Sequence, residues 1–202
     1  MGLYGHHLEN TRALQDRALV LAKRSLELAE ISLGHSLLAQ FYLAVKFDHT
    51  SAETAARRAV AVDPNDAEAV VVLAEVLLFA GHYDEAIAHL KEAMRLNPGF
   101  PERYRYLIGQ AKFHMGDFDA TLSTMKKFCE RASVRQYHRT CSLYRASALA
   151  QIGRTSEAES MVEVFANYNL ASLETMLILK FPFKDPSAPE NIMVGLRKVW
   201  PQ

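Results

Sequence analysis

Cysteine is scarce in this chain, with two among 202 residues, Cys129 and Cys141. They form no CxxC motif, and no cluster of other metal-ligating residues lies beside them. Both fall within stretches of helical apolar spacing, where a free cysteine usually behaves as a small buried hydrophobe. The sequence therefore predicts two reduced cysteines, argues against a disulfide-rich scaffold and favours a reducing compartment.

Long apolar runs are also absent. The longest, residues 69–74, ends at Glu75 and is far too short to span a bilayer. Residues 1–7 contain no basic segment followed by an apolar one, so they do not have the pattern of a signal peptide. His6 stands where N-myristoylation of Gly2 would need Ser or Thr. We therefore expect a cytoplasmic protein with no membrane partner.

The chain has no net charge, since 23 basic residues balance 23 acidic ones. Basic residues nevertheless concentrate between Arg95 and Arg154, with 11 Lys and Arg against 4 Asp and Glu. Four tyrosines are interleaved with them: Tyr104, Tyr106, Tyr137 and Tyr144. A solvated helical surface is the favoured explanation. A nucleic-acid-binding helical repeat that uses the basic 95–154 region stays the alternative, with nucleic acid the less favoured partner.

Catalytic motifs are missing as well. The sequence contains no phosphate-binding P-loop, no GxGxxG after a strand, no HExxH and no GxSxG. Acidic residues such as Asp84 and Asp117 come at predicted helix starts, where they satisfy free N–H groups. His82 and His89 could share a helix face, but no third ligand is near them in sequence. The sequence therefore predicts a protein that is not an enzyme, with no catalytic residue, metal site or cofactor.

What the chain does have is a regular series of helix signals. Asp63-Pro64 and Asn97-Pro98 interrupt two long apolar-periodic stretches, because proline cannot continue a helix. Glycine follows three other such stretches, at positions 81, 116 and 153, and suits a tight left-handed exit. Between these breaks the spacing predicts helices over 8–30, 33–46, 51–62, 67–80, 83–96, 101–115, 118–131, 138–152, 155–167, 171–180 and 188–198.

Small residues recur in this series about every 34 residues. The clearest copy contains Leu73-Ala74, Gly81, Ala86, Ala93 and Asn97-Pro98, and it has counterparts upstream and downstream. This pattern resembles the tetratricopeptide repeat, a helix–turn–helix unit. The resemblance implies an all-α fold, a right-handed α-solenoid of stacked antiparallel helix pairs, with about four repeats and a capping C-terminal helix.

We expect one solenoid domain over residues 1–202. It begins with an N-terminal helix at 8–30. Four repeats are predicted at 33–66, 67–100, 101–136 and 137–170, and a C-terminal cap at 171–202. Phe128 and Arg145 replace the expected Ala and Leu, so altered packing is expected in the third and fourth repeats. Pro189 is expected to interrupt the closing helix, and Leu196 and Trp200 are expected to pack on earlier helices.

Helical phase places a polar column on the concave face, with aliphatic and aromatic side chains beside it. The predicted partner-binding groove consists of Gln40, Leu43, Val71, Glu75, Leu78, Phe79, Tyr106, Gln110, Phe113, Leu143 and Ser147. Such a face suits an extended or helical peptide, and its Glu75 disfavours acidic ligands. Two alternatives to a binding role remain. Any solenoid exposes some alternation of polar and apolar side chains on its inner face, or the chain's own last helix fills the groove.

A second resemblance is narrower. The segment Ala93-Met94-Arg95-Leu96-Asn97-Pro98 resembles the repeats that follow the catalytic domain in many bacterial class III adenylate cyclases. The segments Phe181-Pro182-Phe183-Lys184-Asp185-Pro186 and Gly195-Leu196-Arg197-Lys198 resemble the closing segment of those proteins. This resemblance implies a regulatory C-terminal region of a bacterial signalling protein. The sequence thus predicts a non-catalytic protein–protein interaction or scaffold module. Its partner is predicted to be a protein, a peptide or an upstream catalytic domain of the same polypeptide.

Overall fold

A computed structural model describes residues 3–131, 135–165 and 168–200 of the chain, without the side chains at 3–15, 127, 130, 131, 135–139, 164, 179 and 180. The described residues form eleven α-helices, which we number along the chain: α1 Leu3–Leu28, α2 Ser32–Phe41, α3 His49–Val62, α4 Ala67–Ala80, α5 Tyr83–Leu96, α6 Arg103–His114, α7 Phe118–Arg131, α8 Arg135–Gln151, α9 Thr155–Val162, α10 Leu170–Lys180 and α11 Ala188–Val199. None of the described helices is both long and apolar enough to cross a membrane.

The helix ends follow from local chemistry. Gly81, Gly116 and Gly153 have φ values of 90°, 80° and 82°, the left-handed conformation predicted for the three tight exits. At the start of α4 the Asp66 carboxylate accepts hydrogen bonds from the N–H groups of Glu68 and Ala69. These caps are encoded within a few residues, which is why the sequence pattern locates the breaks between helices.

Two elements near the ends of helices differ from the expectation. A π-helical turn, Tyr42–Lys46, follows α2, and Phe47 closes it with φ of 55°. Pro189 lies in the first turn of α11, so the expectation that it interrupts the closing helix is wrong. Proline is tolerated at that place because the first N–H groups of a helix have no partner within the helix.

Successive helices from α1 to α9 pack against one another, as do α10 and α11, and α2, α4, α6 and α8 also contact one another in sequence order. The fold is therefore an all-α solenoid, with these four helices on its inner face. Ala74, Ala86 and Ala93 are all fully buried where helices cross. A Cβ added at Gly109 would stand 2.5 Å from the Met125 Cγ, so α6 and α7 approach as closely as predicted.

Phe128 shows how the third helix pair departs from the repeat pattern. Its ring is buried and stacks on Tyr106, with ring centroids 4.7 Å apart. A small residue there would bring the helix backbones together, whereas the phenyl ring fills the space between α6 and α7 by aromatic stacking. The packing at this position is altered, as expected from the substitution.

The structure pairs Cys129 of α7 with Cys141 of α8 in a disulfide. Their Cα atoms lie 5.8 Å apart, within the range that a disulfide can bridge. The expectation of two free cysteines is therefore wrong, and with it falls the argument for a reducing compartment that rested on them. Sequence spacing did not show this pairing, because α7 and α8 bring the two residues together only through their antiparallel packing.

A segment between α10 and α11 returns across the inner face. We name residues 181–187 the tail segment. Phe181 is extended at its start, as its position before Pro182 predicts. The Lys184 N–H donates to the Phe79 carbonyl of α4 at 2.8 Å. Beyond the tail segment, α11 packs mainly on α8, with Leu196 fully buried and Trp200 6.2 Å from the Phe165 ring.

Candidate functional site

The inner face contains a cavity of about 330 Å³ between the first helices of successive pairs and the tail segment. Its walls come from α2 and the π-helical turn, from α4, from α6, from α8 and from the tail segment. They consist of Gln40, Leu43, Ala44, Glu75, Phe79, Arg103, Tyr106, Leu107, Gln110, Thr140, Phe181 and Pro182. Its size falls within the range of about 300–1,000 Å³ that ligand pockets occupy.

Polar groups from α6 are held in place by hydrogen bonds. Gln110 is buried, and its amide Nε2 donates to the Tyr106 hydroxyl at 3.2 Å. Arg103 donates through Nη2 to the Glu68 carboxylate at 2.8 Å, and Tyr104 donates to the other Glu68 oxygen at 2.7 Å. Burial and the neighbouring Glu68 raise the pKa of Tyr104 to about 12. These bonds join α6 to α4 along one edge of the cavity.

Glu75 differs from these groups because its carboxylate has no such support. It lines the cavity from α4 and is partly buried. No hydrogen bond or ion pair joins its side chain to any residue that the structure describes. Burial raises the pKa of Glu75, and the charge of Arg103 offsets part of that effect. The cavity therefore holds a carboxylate whose charge is only weakly compensated.

The apolar wall is partly made by the tail segment. The Phe79 ring lies 6.4 Å from the Phe181 ring and 5.1 Å from the Phe183 ring, measured between centroids. Phe183 also contacts His114 of α6 at 4.9 Å. Burial lowers the pKa of His114 to about 4, so the imidazole is neutral at neutral pH. An apolar, rigid edge thus borders the polar groups contributed by α4 and α6.

Six of the eleven predicted groove residues line this cavity: Gln40, Leu43, Glu75, Phe79, Tyr106 and Gln110. The other five do not line it and are buried in helix packing: Val71, Leu78, Phe113, Leu143 and Ser147. Helical phase assigns a residue to a face, but the depth of that residue depends on what covers the face. For Ser147 the cover is α11, where a Cβ added at Gly195 would meet the Ser147 Oγ at 2.3 Å.

The structure adds six lining residues that the predicted groove lacks: Ala44, Arg103, Leu107, Thr140, Phe181 and Pro182. Leu107 lies one residue from Tyr106 and three from Gln110, so a wider helical stripe would have included it. Ala44 lines the cavity from the π-helical turn, whose spacing does not follow the α-helical period. Phe181 and Pro182 reach the site only because the tail segment turns back, which no local pattern in the repeats indicates.

The basic region between Arg95 and Arg154 is partly neutralised by carboxylates within it and in the segments around it. Five of its cations form ion pairs, with the partners Arg95–Glu92, Arg103–Glu68, Arg105–Glu102, Lys112–Asp117 and Arg154–Glu157. The side chains of Tyr137 and of several basic residues lie outside the described ones. The pairing agrees with a solvated surface, and nothing in the described part of the region favours nucleic acid.

The fold and the groove together define an α-solenoid with an inner-face cavity. Residues 45–111, about a third of the chain, match the family model of the tetratricopeptide repeat. The solved structure of PilF from Pseudomonas aeruginosa superposes with a TM-score of 0.65, covering 95% of this chain and 86% of that one. The two sequences are 21% identical, so this similarity shows the fold alone.

A curated relative is the Vi polysaccharide export protein VexE of Salmonella typhi. It is 28% identical over 152 residues, which are 75% of this chain and 21% of VexE. The chain thus spans about a fifth of the length of that relative. The resemblance of residues 93–98, 181–186 and 195–198 to class III adenylate cyclases has no support from these relatives and stays a prediction.

Proposed function

We propose that this chain is a non-catalytic protein-binding module, whose inner groove binds a peptide or a neighbouring domain. The observation that carries the proposal is the cavity on the inner face, which combines a polar floor with an aromatic edge. Helical-repeat units typically present such a concave face to protein partners. Of the residues that line the cavity, Gln40 and Ala44 are exposed and form an accessible rim.

The tail segment supports this proposal in a second way. It is a non-helical stretch that lies against the inner face, with one backbone N–H bonded to the Phe79 carbonyl and two phenyl rings against Phe79. Main-chain hydrogen bonds together with side-chain pockets are the means by which proteins bind extended peptides. The inner face therefore already holds one segment by contacts of the kind that a partner peptide would make.

We further propose that the module acts on another domain of a larger bacterial polypeptide. The resemblance of residues 181–198 to the closing segment of class III adenylate cyclases supports a regulatory region of a signalling protein. The similarity to part of VexE supports polysaccharide export as a second setting. Sequencing the reading frame upstream of Met1 distinguishes the two, because a cyclase domain has metal-binding aspartates that are recognisable in sequence.

A peptide-display selection on the immobilised protein tests the groove. Peptides selected on the wild type are expected to lose binding to Ala44→Trp, because an indole at the rim blocks the cavity without disturbing a buried position. Ala61→Trp is the matched control, since Ala61 is exposed on α3 and does not line the cavity. Peptides that bind Ala44→Trp as well as the wild type would overturn the groove proposal.

A further inference from the structure

The cavity contains one carboxylate that the fold leaves without a partner. Glu75 is the only acidic residue among the described residues that line it. Its side chain has no hydrogen bond or ion pair within the described structure, although it is partly buried. Placing a carboxylate in such a site is costly unless a counter-charge is supplied. The fold itself supplies this counter-charge only in part.

The one cation among the described residues that line the cavity is already engaged elsewhere. Arg103 also lines the cavity, but its guanidinium donates to Glu68 at 2.8 Å. Glu68 is further held by the Tyr104 hydroxyl at 2.7 Å, which fixes the Arg103 pair on the α4–α6 edge. The charge of Arg103 therefore offsets the burial of Glu75 only from a distance. A second cation that enters the cavity would meet an unpaired acceptor.

The walls around Glu75 suit a long side chain with a charged end. Leu43, Ala44 and Leu107 offer aliphatic surface, and Phe79 and Tyr106 offer aromatic surface. Lysine and arginine bury their methylene groups against such walls while the charged head finds a polar partner. Aromatic rings near a cation add an attraction of their own. The hydroxyl of Thr140 and the amide of Gln110 provide neutral polar groups in the same cavity.

We propose that this cavity binds a lysine or arginine side chain of the partner protein, with Glu75 as its counter-ion. The proposal rests on the proposed function, since it names the chemistry of the partner that the groove recognises. The partner segment runs beside the tail segment, because Phe181 and Pro182 form one wall of the cavity. Burial raises the pKa of Glu75 in the free protein, and the charge of a bound cation would oppose that effect by favouring the ionised carboxylate.

The test uses a random peptide-display library selected in parallel on the wild type, on Glu75→Gln and on Glu75→Lys. The wild type is expected to enrich peptides with a lysine or arginine at one position, and Glu75→Lys is expected to enrich aspartate or glutamate instead. A synthetic peptide of the wild-type consensus should bind Glu75→Gln at least about tenfold more weakly, the usual size of a lost charged hydrogen bond. Replacing its cationic residue by norleucine should produce the same loss.

Glu159→Gln is the matched control, since it removes one carboxylate from an exposed position of α9 outside the cavity. It is expected to bind the consensus peptide as the wild type does. If peptides bind in the groove, as shown by their loss in Ala44→Trp, but tolerate Glu75→Gln and norleucine, the cation inference is wrong and the proposed function stands. If the selected peptides bind Ala44→Trp unchanged, or no peptide binds, both proposals fail.

Discussion

His114 shows how one residue responds to its surroundings. Its imidazole stacks on Tyr83 at 5.5 Å and meets Phe183 and Tyr144 edge-on, while Nε2 lies 3.3 Å from the Tyr144 hydroxyl. Its Nδ1 is buried without a hydrogen-bond partner among the described groups. Burial disfavours the protonated, charged ring and lowers the pKa of His114 to about 4, and a protonated Nδ1 would also be a buried N–H with no acceptor.

The low pKa of His114 predicts a loss of stability in mild acid. The unfolded chain takes up a proton at His114 near its ordinary pKa of 6.5, whereas the folded chain does so only near 4. Stability is therefore full above pH 6.5 and falls between pH 6.5 and 4, by at most about 3 kcal/mol. Urea unfolding at several pH values measures this fall. Glu75, with its raised pKa, acts in the opposite direction over part of the same window.

The variant His114→Phe separates the two effects. Phenylalanine keeps the aromatic contacts and cannot titrate, so the difference between the wild-type and variant curves reports His114 alone. We expect that difference to change between pH 6.5 and 4 and to be constant above pH 7. Parallel curves over the whole range would show that His114 is not the group responsible.

Gly195 gives a second prediction for a single residue. A Cβ at this position would stand 2.4 Å from the Ser147 carbonyl oxygen and 2.7 Å from the Ser147 Cα, which are backbone atoms that cannot turn aside. Gly195→Ala should therefore push α11 from α8 and lower the free energy of unfolding by about 1–3 kcal/mol, despite the better helix propensity of alanine.

Gly34→Ala is the matched control for that change. The Cβ would meet the Leu26 Cδ2 at 2.7 Å, but Leu26 is partly exposed and its side chain can rotate. Thermal unfolding should show a stability close to that of the wild type for Gly34→Ala. Equal losses in both variants would mean that the close approach of α8 and α11 has no special role.

At the scale of helices, the disulfide joins α7 to α8. Closing a loop of about 15 residues stabilises a fold by about 3 kcal/mol in the chain-entropy model. The wild type should therefore lose stability of that order when a reductant is added, while Cys129→Ser/Cys141→Ser should not respond. Mass spectrometry after alkylation shows directly whether the wild type contains the bond. Two alkylated thiols in the unreduced protein would contradict the pairing.

We expect α11 to contribute to the stability of the whole helical array. Leu196 is fully buried against the preceding helices, whereas Val194 on the same helix is 40% exposed. Leu196→Ala should cost about 2–5 kcal/mol, because a buried methylene-rich side chain leaves a cavity behind. Val194→Ala should cost less than about 0.5 kcal/mol. Chemical denaturation of the two variants compares them, and similar losses would show that α11 is loosely attached.

Helix positions were largely predictable because their signals are local. Predicted helices 67–80 and 83–96 coincide with α4 and α5, since Asp66, Gly81 and Asn97-Pro98 mark their ends chemically. The disulfide and the cavity were not predictable in the same way. The cavity depends on residues far apart in sequence, such as Ala44 and Phe181, and the disulfide depends on how α7 packs against α8. The five predicted groove residues that do not line the cavity show the same limit.

At the scale of the whole molecule, the tail segment links helix pairs that are not neighbours. Phe183 contacts Phe79 of α4 and His114 of α6, and Phe181 contacts Tyr144 of α8. Repeat arrays normally unfold in parts, because each unit touches only its neighbours. Phe183→Ala should therefore lower the melting temperature and broaden or split the calorimetric transition.

Phe47→Ala is the matched control, since the Phe47 ring is 45% exposed and remote from the tail segment in sequence. It should leave a single transition at nearly the wild-type temperature. A split transition in this variant, or a sharp single one in Phe183→Ala, would remove the argument that the tail segment makes unfolding cooperative.

The tail segment also bears on the elasticity of the molecule. A stack of helix pairs bends like a spring, and its curvature adapts to what it holds. The tail segment contacts helices of three successive pairs. The array cannot become less curved unless these contacts stretch or break. The contacts of the tail segment with α4, α6 and α8 therefore oppose a widening of the concave face. A ligand that needs a wider concave face must first detach residues 181–187. The stiffness of the array against such opening therefore contributes to the selection of partners.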